Sequence, residues 1–265
     1  MNEPFYIKKA TTAVVPIIIS IPHSGTEFPE EIKDDYLTAQ LESLDDTDWF
    51  LQHLYDFAPA MGITIVHAKY SRWAIDLNRD PKSAPLYNDG RLITGLCSST
   101  DFLGKPLYKD GKIPDEKEQE RRLENYYWPY YNKVTELLNE RKAEFGDVLL
   151  WDAHSIREKV LTIRPTAFPE MILGNADQTS SRKDLIENTL GTLSSTYNIN
   201  HNDPFKGGHI TRYFGNPSEN IHGLQLERNK NLYMDDSELE YHPERAAKMQ
   251  VVLKKNFEEL IALLS

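Results

Sequence analysis

The chain is poor in what several common protein classes require. Its 265 residues include one cysteine, Cys97. A single thiol excludes an internal disulfide framework and a cysteine-based zinc knuckle, and it suits a reducing cytoplasm. Long apolar runs are missing: the longest, Ala13 to Ile19, contains Pro16 and is too short to span a bilayer, so no membrane partner is expected. The start, Met1-Asn2-Glu3-Pro4, lacks the basic and apolar stretches of a signal peptide. Lys/Arg-rich runs are also missing, and the formal net charge is −11. Without a phosphate-neutralising surface, no nucleic-acid partner is expected. Neither a Gly-x-Gly-x-x-Gly loop nor a P-loop occurs, nor a Gly-x-Ser-x-Gly elbow. No His-Glu-x-x-His is present, and Thr26 stands where a His-x-x-Glu pair would need an acid after His23.

What is present describes a globular chain. Aromatics at 11% within 40% hydrophobic residues supply enough apolar surface to offset chain entropy. The length fits one domain over residues 1–265. Ala13 to Ile21 is β-branched and continuous, a strand buried on both faces. Ile63 to Ala68, Trp73 to Leu77, Asp147 to Ala153, Met171 to Leu173, His209 to Phe214 and Leu224 to Glu227 read as further strands. Asp46 to Ala58 has a helical apolar stripe with acids in its first turn. Glu116 to Phe145, with a kink expected at Pro129, Ser181 to Tyr197 and Pro243 to Leu264 read as helices. Residues 80 to 115 are rich in Gly and Pro, a long irregular segment of the kind that forms functional lids. Strands alternate with helices, so the expected fold is a three-layer α/β/α sandwich around a mixed, largely parallel sheet.

In such sheets ligands bind beyond the carboxyl ends of the strands. The first strand ends at His23, another at Asp152 and His154, and a late one at Glu227. Asp45, Asp46 and Asp48 open the helix after the first strand. Imidazole and carboxylate together suit zinc, three ligands leave a position for water, and a nearby Glu would take that water's proton. Each residue also has a plain structural reading. A His after a strand is commonly a hydrogen-bonded loop residue, acids at a helix start cap it, and Asp152 with His154 can be a structural pair. Arg72 and Arg79 flank a strand candidate and match carboxylate geometry, although Arg79 can equally pair with Asp76 or Asp80. The glycines of Lys206-Gly207-Gly208 fit either a close backbone approach or a simple hairpin.

Taken together, the motifs resemble the N-formylglutamate amidohydrolase family. The matching pieces are Ser20-Ile21-Pro22-His23-Ser24-Gly25, Asp48 with Leu51, Leu54 and Tyr55, and Arg72 through Ile75-Asp76-Leu77-Asn78-Arg79-Asp80-Pro81. Asp152-Ala153-His154-Ser155, Lys206-Gly207-Gly208 through Thr211, and Leu226-Glu227-Arg228-Asn229 with Leu232-Tyr233-Met234 complete the set, in order. The resemblance implies a zinc carboxypeptidase-like fold and a Zn²⁺ held by His23, Asp48 and His154. It implies Glu227 as general base, and Arg72, Asn78 and Arg79 as the grip on an anionic small-molecule substrate. Asp152 would orient His154. The implied reaction is hydrolysis of N-formyl-L-glutamate to formate and L-glutamate, a step of histidine degradation. Two rivals remain: a zinc-dependent deacylase or peptidase acting on another N-acyl amino acid or peptide, and a non-catalytic binder of acidic ligands.

Overall fold

The computed structural model describes residues 3–82 and 94–265. Its strands are β1 (Phe5–Lys8), β2 (Ile17–Ile21), β3 (Thr64–Ala68), β4 (Val148–Ala153), β5 (Met171–Gly174), β6 (Ile199–His201) and β7 (Ile221–Arg228). They form one sheet in the order β1-β3-β2-β4-β7-β5-β6. The central strands β3, β2, β4 and β7 run parallel, β1 and β5 join them antiparallel, and β6 pairs parallel with β5. The helices are α1 (Glu30–Lys33), α2 (Thr38–Leu41), α3 (Leu51–Leu54), α4 (Glu116–Arg122), α5 (Trp128–Phe145), α6 (Lys183–Ser194), α7 (His209–Phe214) and α8 (Pro243–Leu264).

Side-chain alternation along the strands builds two cores. Ile17, Ile19, Ile21, Leu149, Trp151, Leu224 and Leu226 face α6 and α8, meeting Leu185, Met249, Leu253 and Phe257. Ile18, Val148 and Leu150 point the other way, onto Tyr130, Tyr131, Val134 and Leu138 of α5 and Ile210 and Phe214 of α7. Helices cover both faces, which gives the three-layer sandwich read from the sequence.

Four sequence expectations change. Trp73 to Leu77 is not a strand but a buried loop. Its carbonyls are met by side chains instead of a ladder: Tyr36 donates to Trp73 O, Arg122 to Ala74 O and Tyr131 to Leu77 O. His209 to Phe214 is α7, not a strand, because it buries Ile210, Thr211 and Phe214, a helical spacing, despite β-favouring residues. Asp46 to Ala58 is helical only over Leu51–Leu54, with a 3₁₀ turn at Ala58–Met61. Asp46 and Asp48 therefore precede the helix and do not cap it. The long stretch from Glu116 continues through a π-helical segment, Leu123–Tyr127, directly before Pro129. That wider turn absorbs the missing proline N–H where a kink was expected. Residues 83–93 of the lid expected at 80–115 lie outside the described residues.

Candidate active site

The parallel strands β2, β4 and β7 end at one edge, and this convergence gathers the polar residues. Backbone pairing places Ser20 beside Asp152, and Asp152 beside Gln225. His23 follows β2 by two residues, and His154 follows β4 directly. Glu227 is the penultimate residue of β7. Asp48 joins them from the loop before α3, where its backbone N–H donates to the His23 carbonyl at 2.9 Å. His23, Asp48 and His154 are each buried, and each offers a ligand atom within 4.8 Å of the other two.

The outer nitrogen of each histidine is already occupied. Nε2 of His23 lies 2.7 Å from Asp76 Oδ1, and Nε2 of His154 lies 3.1 Å from Asp152 Oδ2. Their Nδ1 atoms turn inward, 3.8 and 3.3 Å from Asp48 Oδ2. Neither contact makes a hydrogen bond, so that carboxylate oxygen is buried without a partner. Oε2 of Glu227 is in the same condition. Two inward nitrogens and an orphaned carboxylate oxygen fit a divalent cation, with Asp76 and Asp152 fixing the imidazole tautomers from behind.

The electrostatics agree. Burial, then the charge of Arg72, lowers His23 to about 4, so its ring is neutral and able to ligate. Burial also opposes charge on His154, but Asp152, Asp48 and Glu227 outweigh it and hold the ring up to about 10. This nest of carboxylates favours a positive charge, which a cation could supply in place of a proton. Burial likewise disfavours the Asp48 carboxylate, yet the two imidazoles and Arg72 keep it below the usual range. Burial raises Glu227 to about 7, the range suited to a general base.

Supporting groups differ from the sequence expectation. Asp152 accepts from Ser20 and Thr211, each at 3.3 Å, besides meeting His154. Asp76, read from sequence only as an ion-pair partner for Arg79, instead links His23 to Arg72, which donates to its other oxygen at 2.7 Å. Arg79 does approach Asp76, at 3.8 Å, and it holds Thr94 through the carbonyl and Oγ1. Arg72 stacks on Phe102, 4.7 Å from ring centre to guanidinium carbon. The Asn78 amide sits 3.0 Å from His154 Nε2 and accepts from the Ile210 N–H at 2.8 Å, thereby seating the first turn of α7. Gly208 makes room for it: a Cβ there would lie 2.2 Å from Asn78 Nδ2. The close-approach reading of the glycines replaces the hairpin. Sequence reading missed Asp76, Gln225 and Thr211 as partners. Asp76 and Thr211 stood within the quoted motifs and Gln225 only within the strand candidate Leu224 to Glu227, and none had a local signal because their partners are distant in the chain.

The family model for N-formylglutamate amidohydrolase matches residues 15–234, from before β2 to past β7. The chain belongs to the N-formylglutamate amidohydrolase family. N-formylglutamate deformylase of Pseudomonas putida is 39% identical over 251 residues, covering 94% of this chain and 93% of that one. The Pseudomonas aeruginosa enzyme of the same name is 38% identical, covering 99% and 97%. Among solved structures, an N-formylglutamate amidohydrolase from Ralstonia eutropha JMP134 superposes with a TM-score of 0.83 at 27% identity, covering 99% and 98%. A protein of Agrobacterium tumefaciens shares the fold at 17% identity and a TM-score of 0.74, covering 98% and 96%. Membership makes this protein an amidohydrolase, and its site lies within the segment that the family shares. Among the described residues no helix is long and apolar enough to cross a membrane.

Proposed function

We propose that this protein hydrolyses N-formyl-L-glutamate to formate and L-glutamate, with His23, Asp48 and His154 holding one Zn²⁺. The observation that carries the reading is the orphaned Oδ2 of Asp48 between two inward imidazole nitrogens, with the unpartnered Oε2 of Glu227 close enough to feel both His154 and Asp48. Zinc held there would lower the pKa of a bound water and polarise the formyl carbonyl. Glu227 takes the water's proton on Oε2 as oxygen attacks the formyl carbon. The C–N bond then breaks, and Glu227 returns the proton to the departing α-amine. Asp76 and Asp152 hold the imidazoles in the ligating tautomer. Arg72, Asn78 and Arg79 are assigned to the anionic substrate, by a local positive field within a chain of charge −11. The two deformylase relatives, similar over nearly the full length, support this substrate. The reading carries with it a cytoplasmic place in histidine degradation.

The test is formate release from N-formyl-L-glutamate by purified protein before chelation, after it, and after zinc is returned. Activity that is lost and then restored is expected. Full turnover in thoroughly stripped protein would remove the metal from the account. Formyl, acetyl and succinyl derivatives of Glu, Asp and Gln, assayed side by side, decide the acyl group and the amino acid.

A further inference from the structure

A second cationic feature adjoins the candidate metal-ligand cluster. The segments 155–157 and 229–230 are laced together: Ile156 N–H donates to Arg228 O, and Lys230 N–H to Ile156 O, each at 2.9 Å. This lacing sets Ser155, Arg157 and Lys230 around a cavity of about 20 Å³, lined also by Asp45, Asp46, Phe102 and Leu103. Ser155 adjoins His154, and Asp46 lies two residues before Asp48, so the cavity lies against the cluster. Phe102, which lines it, is the ring on which Arg72 stacks.

The two cations in the cavity are not equivalent. Arg157 is already compensated by Asp45 and Glu238. Lys230 is only 3% exposed. Among the described residues it has no carboxylate within ion-pair distance, and its ammonium makes one long hydrogen bond, 3.4 Å, to the Asp45 carbonyl. A buried ammonium with most of its donors unspent is costly unless an anion arrives. Burial accordingly lowers the Lys230 pKa, and a carboxylate placed beside it would reverse that shift. The space admits about one small polar group and excludes a ring.

We propose that Lys230, with Arg157 behind it, forms the subsite for the substrate's side-chain carboxylate and so selects an acidic over an amide side chain. This rests on the proposed N-formylglutamate activity. The other carboxylate then falls to the Arg72 and Arg79 side of the cluster.

The test uses the zinc-loaded full chain and two substitutions. Lys230→Met preserves volume, and Lys230→Gln keeps a donor for the Asp45 carbonyl without the charge. In each, kcat/KM is measured for N-formyl-L-glutamate and N-formyl-L-glutamine. The preference for the acidic substrate should fall by about 10- to 100-fold, the worth of one charge-assisted hydrogen bond in a desolvated site. An unchanged ratio, or equal losses on both substrates, overturns the assignment. Calorimetric binding of glutarate and butyrate to the same proteins gives a readout independent of turnover. Glutarate should weaken in both variants while butyrate does not. If the wild type deformylates neither substrate, the functional reading fails, and the glutarate-to-butyrate comparison still decides the subsite.

Discussion

Nε2 of His23 and Oδ1 of Asp76 lie 2.7 Å apart, both side chains buried, while the other Asp76 oxygen accepts from Arg72. Burial works against the Asp76 charge, but Arg72, Arg79 and His23 hold its carboxyl well below the usual range. Asp76→Asn would turn one of those two oxygens into a donor, facing either the imidazole N–H or the guanidinium. Metal affinity should drop about 10- to 100-fold, the usual cost of a lost partner behind a ligand. Competition with a chromophoric chelator measures it, and unchanged affinity would remove Asp76 from the site's support.

Glu227→Gln keeps the size of the side chain and removes its basicity. Zinc content should hold while kcat falls at least ~10²-fold, the lower range for acid–base catalysis. A variant with near-normal turnover would show that another group takes the proton.

The raised Glu227 pKa makes a signed prediction. In metal-stripped protein its carboxyl should titrate near 7, seen as a carbonyl band that appears as pH falls and is absent from Glu227→Gln. Loading a divalent cation should lower that value, because positive charge favours the carboxylate. The acid limb of kcat/KM therefore lies at lower pH than the stripped-protein titration, with activity falling as Glu227 becomes protonated.

The carboxylate nest holds His154 up to about 10, so in metal-free protein its ring should carry a proton at pH 8, one that a bound cation would displace. Metal uptake at pH 8 should release on the order of one proton. Calorimetry in buffers of different ionisation enthalpy counts it. No release at pH 8 would mean that His154 was already neutral.

Arg79→Ala should raise KM for N-formyl-L-glutamate well above its effect on an uncharged formyl amide. Equal effects on both would leave Arg79 as a structural anchor for Thr94, the contact it already makes.

Gly208→Ala places a methyl group against the Asn78 side chain. Displacing Asn78 would unseat the first turn of α7 and remove the amide beside His154. Loss of about 1–3 kcal/mol of stability, together with reduced kcat/KM, is expected from such overpacking. Thermal melting and initial rates check the two parts separately.

The sequence by itself determined which chemistry is available and where the two histidines stand. The strands read at Ala13 to Ile21 and Asp147 to Ala153 contain the observed Ile17–Ile21 and Val148–Ala153, mostly apolar, which stop just before His23 and His154. Parallel strands share an edge, so the meeting of those imidazoles was legible. Tertiary structure alone decided the seat of Asp48, the partner of His23 and the state of residues 209–214. Asp48 lies in a loop whose place is set by a backbone bond to His23. Asp76 reaches His23 from a buried loop that takes its hydrogen bonds from other elements' side chains, which no local pattern encodes. Residues 209–214 carry strand-like side chains, yet they form α7, whose Ile210 N–H is met by Asn78, 132 positions away. Local periodicity reports which side chains are buried; long-range hydrogen bonds decide what they are buried beside.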